Sequence, residues 1–477
     1  MILRFVSLFY LCVLAASHAG GVLAASLASA AATPNIVVFL SDDHSLLDST
    51  VYGSTEVKTP QMQRIASAGL TFTHAFVASP SCAPSRAALL TGLMPARNGA
   101  ESNHAKPRAE IKKLPAYLKD LGYEVVSFGK VSHYQHTSDY GFDFFAYDKY
   151  HEDDAIPEGI RWLRARKSDR PLCLFLGTNW PHVPWPVGGD EFQPDTLKIP
   201  RNHVDTPTTR VSRARYLAAI TRMDTELGAA FDAAKDVLGE NTFFLHTSDH
   251  GAQWPFAKWS CYDGGIRTPM LAVWPHKIAE GGRTHAMVSW IDILPTLVEV
   301  AGGRAPSGID GRSFHGVLLQ PSLSHRDRIF TTHSNDGRMN IYPTRSVRTA
   351  DWKYLHNLHP EYYFSTHVDI VQGNDAGPYF ASWVEKAKTD PTAAILVQRY
   401  HERPREELYD LQSDPLELKN LAADPLHRER LVALRAEVTA WMISQGDQGV
   451  VPVAPRLLSD PARADPPALG AAKKTKQ

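Results

Sequence analysis

The sequence predicts an α/β protein: a large, mainly parallel sheet flanked by helices, followed by a smaller antiparallel sheet. Three observations predict it. Short apolar runs rich in Val, Ile, Leu and Phe alternate with helix-like segments between residues 35 and 300. Four of these runs end in polar residues of the kind that gather beyond the carboxyl edge of an open sheet. After about Arg328 the texture changes to strand-like segments and one last helix. The 477 residues suffice for one large domain and a smaller one. A net charge of −1 gives no footprint for nucleic acid. It leaves an anionic substrate open, because the local field in a cleft decides that.

The chain opens as an export signal. Arg4 precedes the apolar run from Phe5 to Ala16, and small residues follow to Ala32, with A-x-A-like sites near Ala19, Ala24 and Ala30. The run is short for a membrane span. Leu11 before Cys12 argues against a lipid anchor. The expected mature protein is soluble and exported: periplasmic or secreted, or lysosomal in a eukaryote. It keeps Cys82, Cys173 and Cys261, an odd number with no disulfide framework. Cys173 sits in the apolar run Leu172–Leu176 and reads as a small buried hydrophobe.

The elements follow in order. Asn35–Leu40 is a first strand. Thr59-Pro60 opens a helix that ends near Gly69, and a second helix follows Cys82. Leu114–Leu121 is a helix closed by Gly122, and Tyr123–Phe128 a strand. Glu158–Arg166 is helical, and Pro171–Gly177 is a buried strand. Ser212–Val237 is a long helix, Thr242–Thr247 and Met270–Trp274 are strands, and Ile291–Val300 is a helix. Ser346–Leu355 and Glu407–Leu411 read as strands of the smaller sheet, and Pro425–Ser444 as a terminal helix. The expected organisation is a signal over 1–32, a catalytic domain over 33–330, a smaller subdomain over 331–450 and a disordered tail over 451–477, where Pro, Ala and Lys dominate.

Polar residues cluster at the strand ends. The first strand delivers Asp42 and Asp43; the second delivers Gly129, Lys130 and then His133. The third delivers Asn179, Trp180, Pro181 and His182; the fourth delivers Ser248, Asp249, His250 and Gly251. Each group alone is weak, since Asp-Asp after a strand also caps helices. Three aspartates brought together call for a cation, and oxygen donors suit Ca²⁺ or Mg²⁺ better than zinc. Between them lies Cys82-Ala-Pro-Ser-Arg86, continuing as Ala-Ala-Leu-Leu-Thr91-Gly92. Pro84 suits a first helical turn, and Cys82 then sits where free N–H groups favour an anion. Arg86, four residues on, returns to the same face and offers a positive fork.

That stretch resembles the signature of the type I sulfatases, and the resemblance runs from about Asn35 to Gln445. It includes Leu408-Tyr-Asp-Leu411 and Asp414-Pro415-x-Glu417. The resemblance implies an alkaline-phosphatase-like large mixed sheet with a C-terminal α+β subdomain. It implies that Cys82 is oxidised by a separate maturation enzyme to formylglycine, whose hydrate attacks sulfur. It implies calcium held by Asp42, Asp43, Asp249, His250 and an oxygen of residue 82. His250 stands where many members carry Asn, as in the iduronate-sulfatase branch, and imidazole is an unusual calcium ligand. The implied roles continue through the site. Arg86 holds the nucleophile in line, and Lys130 and Lys258 offset charge on sulfate oxygens. His182 protonates the leaving group, and His133 helps take a proton from the second hydroxyl. For Lys258 a solvated loop lysine is the alternative reading. Trp180, Trp185, Trp254 and Trp259 are either sugar platforms or core.

Two branches of the family compete. Ser248 to Lys258, Tyr262-Asp-Gly-Gly-Ile-Arg267, Asn98-Gly99 with His104, and Arg222-Met-Asp224 resemble the heparan N-sulfatase group. Gly129-Lys130-Val131 with His133, and Asp249-His250, also resemble iduronate 2-sulfatases. The first set is larger, so the expected substrate is the N-sulfated glucosamine of heparan sulfate or heparin fragments. A 2-O-sulfatase is the alternative. A phosphatase or phosphodiesterase of the same superfamily would carry Ser or Thr as nucleophile and two metals. A non-catalytic glycan-binding relative would be expected to lose Cys82, Arg86 or a metal aspartate. The sequence fixes no oligomeric state; a homodimer is compatible with it.

Overall fold

The computed structural model describes residues 33–147, 154–186, 191–371 and 378–460. The expected signal over 1–32 lies outside the described residues, as does the tail beyond 460. The strands are β1 (Asn35–Ser41), β2 (Leu70–Phe76), β3 (Ser102–Asn103), β4 (Glu124–Gly129), β5 (Phe144–Ala146), β6 (Leu172–Gly177) and β7 (Thr242–Ser248). They continue as β8 (Arg267–Val273), β9 (Gly282–Thr284), β10 (Val288–Ser289), β11 (Ile329–Asp336), β12 (Asn340–Arg348), β13 (Trp352–Asn357) and β14 (Glu406–Asp410).

The large sheet runs β10-β2-β8-β7-β1-β6-β4-β5, with β9 also paired to β2. Its pairings are parallel except on the two sides of β8, which runs against β2 and β7. The sheet is therefore mixed. β1 sits between β7 and β6 and is buried on both faces. Val37 and Phe39 pack toward the side of the long helix, and Ile36, Val38 and Leu40 toward the side of the helix Ile293–Val300. A parallel strand covered by helices on both faces reads as an unbroken apolar run, as this one does.

The long helix spans Pro207–Leu238 and starts five residues before its expected beginning. Thr206 accepts the Thr209 N–H and Pro207 supplies a preset φ, so the start is written in the cap and not in the apolar period. Asp224 on this helix accepts the N–H groups of Gln61 and Met62 and so caps the helix Pro60–Ser67.

The second sheet runs β14-β13-β12-β11-β3 and is antiparallel except where β3 pairs parallel to β11. The expected single strand over Ser346–Leu355 is in fact the facing halves of β12 and β13, turned at Thr349 to Asp351. Val347, Tyr354 and Leu408 of this sheet bury against Leu431, Leu434 and Val438 of the terminal helix Arg428–Gln445. Each such side chain contributes about 1.5–3 kcal/mol. Asp263 joins the sheets. It pairs with Arg348 and Lys353, and its N–H donates to Glu417, which also pairs with Lys353. The first ten residues of the expected disordered tail are placed. Tyr363 N–H donates to the Arg456 carbonyl, and Tyr362 pairs with Leu457. No helix among the described residues is long and apolar enough to cross a membrane.

Candidate active site

The carboxyl ends of β1, β7, β4 and β6 bring their polar residues to one place. Asp42, Asp43, Cys82, Asp249 and His250 are all buried, and each offers a ligand atom within 4.8 Å of the others. Asp42 and Asp43 follow β1 directly. Asp43 takes a left-handed backbone, φ 65°, which turns its N–H onto Asp249 Oδ1 at 3.1 Å. Asp249 and His250 follow β7. Gly251 behind them lies so close to the Gly264 carbonyl that a Cβ there would sit 1.8 Å from its oxygen.

Cys82 is the first residue of the helix Cys82–Thr91, whose cap residue is Ser81 and whose end is Gly92 at φ 66°. Its Sγ lies 3.3 Å from His250 Nε2 and 3.6 Å from Lys130 Nζ. His250 Nδ1 donates to the Gly251 carbonyl at 3.0 Å, which turns Nε2 toward the cluster.

Much of the Arg86 fork is engaged. Nε and Nη2 reach Asp249 Oδ2 at 3.0 and 2.9 Å, and Nη2 lies 3.4 Å from Asp42 Oδ1. Nη1 donates to the carbonyls of Lys130 and Val131. Arg86 therefore clamps the carboxylates and the β4 loop together, while its Nη2, in ion-pair contact with Asp249 and Asp42, makes no hydrogen bond among the described residues and is the part of the fork left to a bound anion.

Lys130 pairs with Asp42, and Lys258 pairs with both oxygens of Asp43 at 3.0 and 2.9 Å. Lys258 is 4% exposed, so the solvated-loop reading does not hold. Burial pushes Asp42 upward, but Lys130, His182, Arg86 and Lys258 hold it well below the usual carboxylate range. Burial raises Asp43 despite Lys258. Three buried cations thus offset three buried aspartates. Asp42 Oδ1 takes no hydrogen bond from the described residues. Three buried carboxylates, one of them with an oxygen that takes no hydrogen bond, fit a divalent cation; the imidazole and the sulfur are softer donors, and the set suits a hard ion where residue 82 offers oxygen instead of sulfur.

The cluster opens into a cavity of about 490 Å³, lined by Cys82, His133, His182, Lys258, Trp259 and the strand-end residue Asp336, among others. His182 Nδ1 donates to the Val183 carbonyl at 2.6 Å, and its Nε2 lies 3.8 Å from Asp43 Oδ2. His133 sits against His104, whose Nδ1 is 2.6 Å from His133 Nε2. Burial, then Lys130, keeps His133 well below the ordinary histidine range.

The tryptophans divide. Trp254 stacks on Trp185 at 5.1 Å and lies beside Tyr379, in the core, and Trp180 lies under Arg222. Trp259 stands in the cavity wall, stacked on His367 at 4.9 Å. Asn98 holds a turn through Leu93 O and Ala100 N–H. Cys82, Cys173 and Cys261 are free, and burial pushes the Cys261 thiol up to about 11. Sequence reasoning missed Asp336, Asn103 and Gln253. Asp336 comes from the second sheet, and nothing in the local pattern around β11 points toward a site more than two hundred residues earlier.

The family profile described as Sulfatase matches residues 34–303, and that described as N-sulphoglucosamine sulphohydrolase, C-terminal, matches residues 250–369. The chain is 31% identical to an ulvan-active sulfatase of Formosa agariphila over 429 residues, 87% of this chain and 81% of that protein. It is 27% identical to the N-sulphoglucosamine sulphohydrolase of Homo sapiens over 467 residues, 87% of this chain and 91% of that protein. A structure solved in complex with its substrate D-glucosamine-2-N,6-O-disulfate superposes with a TM-score of 0.67 at 18% identity, covering 87% of this chain and 99% of that one.

Proposed function

The chain belongs to the sulfatase family, as a hydrolase of sulfate esters or sulfamates, and from that premise we propose that it removes the N-sulfate of glucosamine in heparan sulfate or heparin fragments. One observation carries the chemistry: Cys82, three aspartates and His250 share the floor of a cavity walled by Lys258, His133 and His182. The N-sulfated substrate is supported by the C-terminal profile match over 250–369 and by similarity along most of the human relative.

Asp42, Asp43, Asp249, His250 and residue 82 would hold a divalent ion, calcium in this reading, which would supply positive charge to the sulfate and to the nucleophilic oxygen. With Cys82 converted to formylglycine by a maturation enzyme, the hydrated aldehyde would supply one hydroxyl to attack sulfur and a second whose proton loss expels sulfate. The protein's own groups do the rest. Lys130 and Lys258 lie beside the first residues of the cluster and neutralise the sulfate oxygens as they gain charge. His182 has Nδ1 committed to Val183, so Nε2 is the atom that passes a proton to the departing nitrogen. Its burial at 6% exposure keeps water from competing. His133, kept neutral by burial and Lys130, accepts the proton released from residue 82. Export to a compartment holding sulfated glycans is part of the same proposal.

A second reading has its own support. The relative at 31% identity is an ulvan-active sulfatase, which favours sulfate release from ulvan. The test is product analysis on a heparin disaccharide carrying an N-sulfate and a 2-O-sulfate, with calcium present, and on ulvan oligosaccharides. A free amine is the expected product. Loss of the 2-O-sulfate alone, or turnover of ulvan alone, overturns the N-sulfate assignment.

A further inference from the structure

Asp336, the last residue of β11 in the second sheet, lies 4% exposed in the wall of the cavity. Its Oδ2 accepts from Asn103 Nδ2 at 2.9 Å and from Trp259 Nε1 at 2.8 Å, and its Oδ1 lies 3.2 Å from His104 Nε2. Asn103 Oδ1 in turn accepts the Ala83 N–H at 3.0 Å, beside Cys82. One carboxylate therefore braces the loops that carry His133, Cys82 and Lys258. His104, one residue past β3, occupies a left-handed backbone at φ 66°.

With His104 neutral, the protons of this network have one consistent arrangement. Burial acts to raise Asp336, yet His104, His367 and Asn103 hold it well below the carboxylate range, so it accepts and does not donate. His104 must then carry its proton on Nε2 and keep a lone pair on Nδ1. The 2.6 Å contact requires His133 to donate from Nε2. That leaves His133 with its lone pair on Nδ1, a buried atom that takes no hydrogen bond among the described residues.

We infer that His104, anchored by Asp336, is a positioning residue that fixes the tautomer of His133 and so makes Nδ1 the atom that accepts the proton from residue 82. This rests on the proton-accepting role proposed for His133 above. When Nδ1 gains the proton, His133 becomes an imidazolium whose Nε2–H still points at a neutral acceptor backed by a carboxylate. Protonation of His104 reverses the relay: its Nδ1 then donates, and the lone pair of His133 is forced onto Nε2. Besides His104 and Asp336, His133 faces Lys130, Tyr134 and His136 from its own loop, and Cys82, His182, Lys258 and His367 share the cavity. None of these substitutes for an acceptor at Nε2.

The test compares His104→Gly with His104→Asn. Glycine removes the ring and tolerates the positive φ. Asparagine also tolerates it and keeps an acceptor near the Nδ1 position. His104 is 56% exposed on its side chain, so water partly replaces it and the effect is modest. His104→Gly should lose about tenfold in kcat with KM nearly unchanged, about 1.4 kcal/mol, and His104→Asn should retain most of the rate. The acid limb of kcat should move to lower pH in His104→Asn, which has no titrating relay. The double variant His104→Gly with His133→Gln should be no slower than His133→Gln alone. Nitrogen-15 histidine spectra, read without turnover, should show His133 protonated on Nε2 in the parent protein and mixed in His104→Gly. Multiplicative losses in the double variant, or an Nδ1-protonated His133 in the parent, overturn the relay. If the spectra are as expected but no sulfate is released from any substrate, the functional reading fails and the tautomer assignment stands.

Discussion

Replacing Arg86 with lysine separates charge from shape. Arg86→Lys keeps one positive charge in a site that is 1% exposed. The guanidinium makes two contacts to Asp249 at 2.9–3.0 Å, a third to Asp42 at 3.4 Å, and donates to the carbonyls of Lys130 and Val131. An ammonium group is a single point that reaches the carboxylates or the carbonyls, not both. The loss is roughly one or two charge-assisted hydrogen bonds at about 1.5–3 kcal/mol each, and a buried carbonyl left without a donor adds about 1–3 kcal/mol. A net cost of about 3–5 kcal/mol is expected, a large share of the roughly 5–15 kcal/mol that holds a typical domain. At roughly 2 °C per kcal/mol for a large domain, Tm should fall by about 6–10 °C. Differential scanning fluorimetry at fixed calcium reads the shift, and sulfate release on the same samples reads the site. A Tm within 2 °C of the parent together with unchanged kcat would refute the clamp and return Arg86 to the role of a plain positive charge.

Two further outcomes follow. His182→Ala should slow a saccharide sulfamate at least tenfold more than an aryl sulfate, because a good leaving group needs no proton; equal losses on both substrates would remove His182 as the acid. Asp292 gives a pH dependence away from the site. Burial raises its carboxyl, but Arg326 and His325 outweigh this and bring it from 3.8 down to about 2. A depressed acid stabilises the fold above its unfolded value, and that contribution, about 2 kcal/mol, is lost as pH falls from about 4 to 2. Asp292→Asn should therefore be less stable than the parent at pH 6, with the gap closing toward pH 2. A constant gap across that window would show that the pair with Arg326 does not set the shift.

The large sheet and the cluster at its edge were legible because they are local. Asn35–Leu40 is a continuous apolar run with Asp42-Asp43 just beyond it, and the same grammar recurs at Lys130, His182 and Asp249. Other strands were not read, among them β2, β5 and β11. β2, Leu-Thr-Phe-Thr-His-Ala-Phe, mixes threonines and a histidine into a buried strand because its neighbours β8 and β10 supply the apolar partners. The reversed direction of β8 leaves no local trace, since direction is set by how the loop before it returns. β12 and β13 merged into one expected strand because Thr349-Ala350-Asp351 lacks the glycine that marks tight hairpins. At the site, Cys82, the aspartates and both lysines sit in short motifs, whereas Asp336 reaches Asn103, 233 residues away, through the pairing of β3 with β11. Arg222-Met-Asp224 was readable as a pattern, but its work, capping a distant helix, shows only in three dimensions.

Because β8 runs against β7, the segment 249–266 leaves the sheet and re-enters it at the same edge. It carries Asp249, His250, Lys258 and Trp259 on the way, and every residue in it but Gly264 is buried. Such a segment behaves as interior, although it connects two strands. Length changes here have nowhere to go, since Gly251 and Gly265 already touch backbone carbonyls on the returning or preceding turn. Divergence toward new saccharides is thereby steered to the cavity mouth, to positions such as Met339, His367 and Val371. A directed-evolution library placed on the mouth should yield altered preferences, and one placed on 249–266 should yield mostly insoluble protein.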